Sequence, residues 1–188
     1  MLVLAVWAFA AKAQNNFKVP PYETFKLKNG LTVYIMEQHE VPLVNVSAVF
    51  DAGSINDGER YGLASLTADA LLFGTQKYTK AQIEEMTDYV GASLSTYASK
   101  DNAGLAASFA VKDQDKLFEL IQQVLMYPVF DATEFEKHKQ RTLLELAQAK
   151  ESPRSVIGNY YNTFLFGNFP YATPTAGSKS TVEKIDVA

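Results

Sequence analysis

The sequence predicts an α+β domain, a mostly antiparallel sheet covered by helices on one side. Three observations predict it. Strand-like and helix-like segments come in blocks (three strands, two helices, two strands, three helices) rather than in the strict alternation of a parallel α/β fold. An Asn-Gly pair at positions 29–30 joins the first two strands, the strongest short hairpin signal. The chain of 188 residues is 47% apolar with no cysteine, enough for one domain with a sizeable core that needs no cross-link.

Each element follows from its local pattern. Glu23–Lys28 and Leu31–Glu37 alternate apolar and polar residues around Asn29-Gly30, and Val41-Pro42 breaks the pattern. Leu43–Phe50 reads as a third strand with Val44, Val46, Ala48 and Phe50 on one face. Asp51–Arg60 is a loop. Tyr61–Phe73 is apolar almost all round, as a buried helix is, with Ser65, Thr67 and Asp69 interrupting it. Thr79 and Gln82 form a capping box for the next helix, which Gly91 stops. Ser93–Ser99 and Asn102–Val111 are two more strands. Asp113 is placed to cap a helix whose Leu117, Leu120, Ile121, Val124 and Leu125 fall at helical spacing up to Pro128. Asp131 and Glu134 start a long helix to about Lys150. Ser152-Pro153 opens a last amphipathic helix with Val156, Ile157, Tyr160, Tyr161, Phe164 and Leu165 inward, closed by Gly167. The aromatic cluster from Tyr160 to Phe169 is read as core, with a partner surface as the alternative.

Met1–Ala11 (MLVLAVWAFAA) is an apolar run of 11 residues. It is too short to span a bilayer, which takes about 20. It suits the apolar stretch of a signal peptide, and Ala11-Lys12-Ala13 supplies a small-x-small cleavage pattern, although no Lys or Arg precedes the run. The expected organisation is a signal peptide at 1–13, a linker at 14–21 carrying two prolines, and one domain at 22–188. The expected destination is outside the cytoplasm, periplasmic or secreted. No later segment is apolar enough to be transmembrane.

Composition narrows the chemistry. The net charge of −4 and scattered Lys and Arg give no basic stripe for nucleic acid. With no Cys and only His39 and His138, 99 positions apart, the usual nitrogen- and sulfur-rich zinc sites are nearly excluded, and a Cys nucleophile is impossible. There is no GxSxG, and the glycines form neither GxxxxGK nor GxGxxG.

Ser65 and Asp69 are four apart on an apolar helix and share a face. They mark either a site or a hydrogen-bonded polar group at the edge of the core. Glu145 is expected to pair with Arg141 at i−4, and His138 lies two turns before it on the same face. A His–Glu pair there would bind a metal or move a proton. On a helix as charged as EFEKHKQR, a solvated His138 is the ordinary reading. His39 reads as a loop residue.

Arg60–Thr75 (RYGLASLTADALLFGT) resembles the metal helix in the first domain of the pitrilysin, or M16, zinc peptidases, which include the mitochondrial processing peptidases. Asn29–Val33 resembles the opening hairpin of that domain, and Val49–Asn56 (VFDAGSIN) the strand and loop before the metal helix. Gly91–Asp101 (GASLSTYASKD) resembles the substrate-side strand, and Leu125–Phe135 and Arg141–Glu145 the later helices. The resemblance runs from about Phe17 to Ile185. It implies the M16 (LuxS/MPP-like) fold and a chain that corresponds to the first of two tandem domains.

Active members of the family carry His-x-x-Glu-His on the metal helix, two zinc ligands around a general base. Laid on this chain, those three positions hold Ser65, Ala68 and Asp69; only the distal glutamate ligand has a match, at Glu145. The resemblance thus implies no catalytic residue and no metal site here, with zinc expected in an active partner instead. It implies a non-catalytic subunit that helps an active M16 subunit, in a hetero- or homo-oligomer, to enclose and position peptides. The peptide-docking strand of the family falls on Ser93–Ser99, with Ser95 and Thr96 at the peptide-binding positions. A stand-alone peptide-binding module and an enzyme using an Asp69–Glu145–His138 set are the alternative readings.

Overall fold

The structure is a computed structural model that describes residues 19–187. The signal peptide expected at 1–13 and the first residues of the linker lie outside the described residues. The chain divides into two compact units at Val41/Pro42.

In the first unit, β1 (Glu23–Lys26) pairs antiparallel with β2 (Thr32–Ile35), Glu23 opposite Ile35 and Lys26 opposite Thr32. The strands are shorter than their alternation suggested, because the loop takes Leu27 to Leu31. Gly30 N–H donates to Leu27 O at 2.9 Å, and Leu27 N–H to Leu31 O at 2.8 Å. Gly30 stands at φ +91°, so the connection is a turn closed by a left-handed glycine rather than a two-residue loop.

The second unit is built on a three-stranded antiparallel sheet. The strands are β3 (Leu43–Phe50), β4 (Ser93–Ala98) and β5 (Ala103–Ala110), in the order β3-β5-β4. The helices are α1 (Leu63–Ala70), α2 (Lys80–Val90), α3 (Gln114–Met126), α4 (Ala132–Ala149), α5 (Pro153–Phe166) and α6 (Lys179–Val182). The register sets Val44, Val46 and Ala48 of β3 opposite Phe109, Ala107 and Leu105 of β5, with Leu94 and Thr96 of β4 on that same face. This face carries the main core: Leu105, Ala107 and Phe109 pack with Ile83 of α2 and Leu117, Leu120, Ile121 and Val124 of α3. Asn45, Ser47, Ser93 and Ser95 line the opposite, exposed face. A second cluster joins Leu66, Ala70 and Phe73 of the α1 segment to Phe135 of α4 and to Val182 and Ile185.

Several expectations need correction. Phe50 is exposed, because it stands at the rim of an open pocket beside α1 instead of in the core. The helix read at Tyr61–Phe73 is regular only over Leu63–Ala70, since Gly62 enters it at φ +100° and the chain turns again after Leu71. Asp113 stands at the start of α3 but makes no capping bond, and its Oδ2 is buried without a hydrogen-bond partner. Asp131 does cap α4, accepting from Glu134 N–H at 2.9 Å, while the Glu134 side chain turns instead to lysines. The largest departure is α5. None of its residues is buried, and Ile157, Tyr160, Tyr161, Phe164 and Leu165 all face outward, Phe164 with 88% of its surface exposed. Periodicity located this helix, but its apolar stripe is not part of the core.

Candidate functional site

Helix α1 is held at its start by its own loop. The Asp57 carboxylate, buried in the Asp51–Arg60 loop, accepts from Gly62 N–H at 3.0 Å and Ala64 N–H at 2.9 Å. It thereby satisfies donors that a helix start leaves open and sets negative charge at the positive end of the helix. Gly53 lets that loop press on the β4–β5 turn: a Cβ there would meet Lys100 O at 2.1 Å. Ser54 N–H donates to Ser99 O at 2.9 Å, which pins the loop to the end of β4.

With α1 fixed in this way, the positions of interest spread over its surface. Ala68 is buried and lines a 490 Å³ pocket with Phe50, Thr67, Leu71 and Gly104. Ser65 is half-buried. Asp69 points to α4, where its Oδ2 lies 3.0 Å from His138 Nε2. The side chains of His138 and Asp69 retain 24% and 37% of their exposure. The Phe73 ring backs the imidazole at 5.2 Å between centroids. His138 is therefore not the solvated residue its charged neighbours suggested. Thr142 Oγ1 donates to His138 O at 3.1 Å, on the next turn of α4.

Above this pair runs a charged seam between α2 and α4. Lys80 Nζ reaches Glu134 Oε2 at 3.3 Å and Glu84 Oε1 at 3.9 Å, and lies 5.2 Å from the Phe73 ring centre. Hydrogen bonds from Lys137 first, then Lys80, hold the Glu134 carboxyl below its ordinary range. One helical turn separates Glu134 from His138, so a single face of α4 meets α2 and then α1.

These groups surround a cavity of 320 Å³ between α1, α2, α4 and β4, lined among others by Asp69, Phe73, Lys80, Ser95, Thr96 and His138. Its floor is apolar, formed by Leu72, Phe73, Ile83 and Leu94. The two residues set apart for peptide docking thus share one cavity with Asp69. They enter it from opposite faces of β4, Thr96 inward and Ser95 outward. Among the described residues β4 pairs only with β5, so its other edge is open beside this cavity.

The structure does not bring the remaining candidates together. Glu145 is exposed on α4, and no ion pair joins it to Arg141 among the described residues. His39 is 88% exposed, 3.5 Å from Glu37. Among the described residues no three His, Cys, Asp or Glu side chains come together in a way that would hold a metal ion. The zinc that the resemblance would lay on residues 65, 68 and 69 does not fit the residues present: Ser65 and Asp69 offer no imidazole, Asp69 is engaged by His138, and Ala68 has no atom to accept a proton. Sequence reasoning missed Asp57, and it grouped Asp69 with His138 only within an alternative set with Glu145, not as a direct pair between two helices. An Asp shortly before an apolar helix was the available signal for the first. The second joins residues 69 positions apart, and local spacing carries no trace of it.

The profile of the insulinase family, peptidase family M16, matches residues 32–179. The chain belongs to that family. It is 28% identical over 180 residues to mitochondrial cytochrome b-c1 complex subunit 1 of Bos taurus, covering 95% of this chain and 37% of that one. It is 26% identical over 172 residues to a protein of Rickettsia bellii named an uncharacterized zinc protease, covering 90% and 40%. It is 27% identical over 151 residues to the non-peptidase homolog YmxG of Helicobacter pylori, covering 79% and 35%. A crystal structure of a peptidase M16 inactive domain from Pseudomonas fluorescens superposes with a TM-score of 0.84 at 24% identity, covering 88% of this chain and 41% of that one, and shows the shared fold. The family thus includes members named as non-peptidases beside others named as proteases. The chain spans about two-fifths of the length of the relatives it matches. Among the described residues no helix is long and apolar enough to cross a membrane.

Proposed function

We propose that this chain is part of a non-catalytic M16 subunit, exported from the cytoplasm, that helps an active zinc-peptidase partner enclose and position peptides. One observation carries the reading: α1 presents Ser65, Ala68 and Asp69 where hydrolysis needs two nitrogen ligands and a base, and Asp69 is already hydrogen-bonded to His138. Loss of a general base alone typically lowers a rate by 10²–10⁴-fold. The names of the Helicobacter and Pseudomonas relatives, a non-peptidase homolog and an inactive domain, support it. The name of the Rickettsia relative would carry protease activity to this chain, and residues 65–69 argue against that transfer. The bovine relative is named as a subunit of a complex, which supports a role within an assembly. Export rests on Met1–Ala11 and the Ala11-Lys12-Ala13 pattern.

The test mixes the full-length protein with an active M16 relative from the same genome and follows cleavage of an extended peptide. The reading expects the two to associate, with turnover faster than the active subunit shows alone. If association and turnover are both unchanged, the partner role fails. The open edge of β4 beside an apolar-floored cavity favours a second reading, a peptide-binding module acting by itself. A stable monomer that binds extended peptides would support that reading instead.

A further inference from the structure

Zinc in a catalytic relative would do more than chemistry. With ligands at the positions of residues 65 and 69 on one helix and 145 on another, it would tie those two helices together. This chain lacks that donor set, yet the same two helices are joined by another contact: Asp69 on α1 lies 3.0 Å from His138 on α4. The contact point sits seven residues, roughly 10 Å along the helix axis, N-terminal of the position matching the distal ligand.

We propose that the Asp69–His138 pair is a metal-free clasp that takes over the link between α1 and α4, so that this chain holds its cavity without zinc. Three features support a clasp rather than a chance surface contact. Both side chains are partly withdrawn from water, and the Phe73 ring shields the imidazole from one side. The helices also touch through the cluster of Leu66, Ala70, Phe73 and Phe135, so neither partner is on a mobile segment and little ordering entropy is lost in forming the pair. The Glu134–Lys80 contact one turn away anchors the same face of α4 to α2. A partly buried donor or acceptor stripped of its partner is costly, which makes each half of the clasp depend on the other. The inference concerns the isolated chain and survives if the partner role proposed above fails.

A double-mutant cycle in thermal unfolding tests it, using Asp69→Ala, His138→Ala and the double variant, each with added zinc and with chelator. Each single change is expected to lower Tm by roughly 3–10 °C. The double change should lower it no further than the larger single one. Asp69→Asn, which keeps an oxygen acceptor for the imidazole N–H, should recover part of the loss; it also serves if an alanine variant fails to fold. Zinc and chelator should leave the Tm of the unaltered chain in place. Strictly additive single effects, or unchanged Tm in both single variants, would overturn the clasp. So would a zinc-dependent rise in Tm that Asp69→Ala abolishes.

Discussion

Helices α3 and α1 are both apolar helices laid against the same sheet, and they are used differently. Helix α3 turns Leu117, Leu120, Ile121 and Val124 into one continuous core with β5, while its Glu119 pairs with Lys77 at the surface. Helix α1 divides its surface: Leu66 and Ala70 are buried in a cluster with α4 and α6, while Ser65 and Asp69 stay half-buried and Asp69 turns to α4. Hydrophobic burial supplies the main contacts of α3. Helix α1 needs named polar contacts as well, the Asp57 carboxylate at its start and His138 on its flank. An apolar pattern therefore predicts that a helix is packed, and the polar exceptions within it point to contacts that packing alone does not supply.

If that contrast holds, the greatest loss of stability comes from α3. Leu120 is fully buried, and Leu120→Ala should cost about 2–5 kcal/mol in denaturant unfolding. A cost well under that would mean the sheet–helix core is not the main support. Asp57→Ala leaves two backbone N–H groups at the start of α1 without their acceptor and should cost about 1–3 kcal/mol in the same assay. An effect within error would show that water or a neighbour caps α1 equally well.

Acid should reach the α2–α4 seam before the apolar core. The Glu134 carboxyl sits below its ordinary value because Lys137 and Lys80 hydrogen-bond to it. A depressed carboxyl contributes stability that is present above the ordinary glutamate range and is lost as pH falls through the folded value. Unfolding midpoints should therefore drop on acidification below that range, and Lys80→Met should flatten the drop. An identical acid profile in the variant would remove Lys80 from the explanation. The smallest effect belongs to Glu145. It is exposed and outside the clasp, so Glu145→Gln should leave stability within about 0.5 kcal/mol. A larger loss would place Glu145 in the α1–α4 junction after all.

The fold was largely legible because its signals are local. Alternation located β3 at the residues it occupies, and Thr79 with Gln82 forms the capping box its spacing announced. What escaped was set by partners distant in sequence. The periodicity of α5 is sound, but period reports that a helix has an apolar side, not that anything covers it, and Tyr160, Tyr161 and Phe164 face outward. His138 looked like one more polar residue on a charged helix because its partner lies on another element. Helix α6 is only four residues long, too short for a periodic signal, although Ser178 and Thr181 cap it reciprocally. At the site, the family resemblance laid the metal motif on residues 65, 68 and 69. The cavity that joins Asp69 to Ser95 and Thr96 required the packing of β4 against α1 and α2.

Metal content tests the non-catalytic account most directly. The purified protein, dialysed against buffer with trace zinc and measured by mass spectrometry of the metal, should carry far less than one equivalent and cleave no peptide. Stoichiometric zinc, lost on Asp69→Ala and accompanied by chelator-sensitive peptide cleavage, would contradict it.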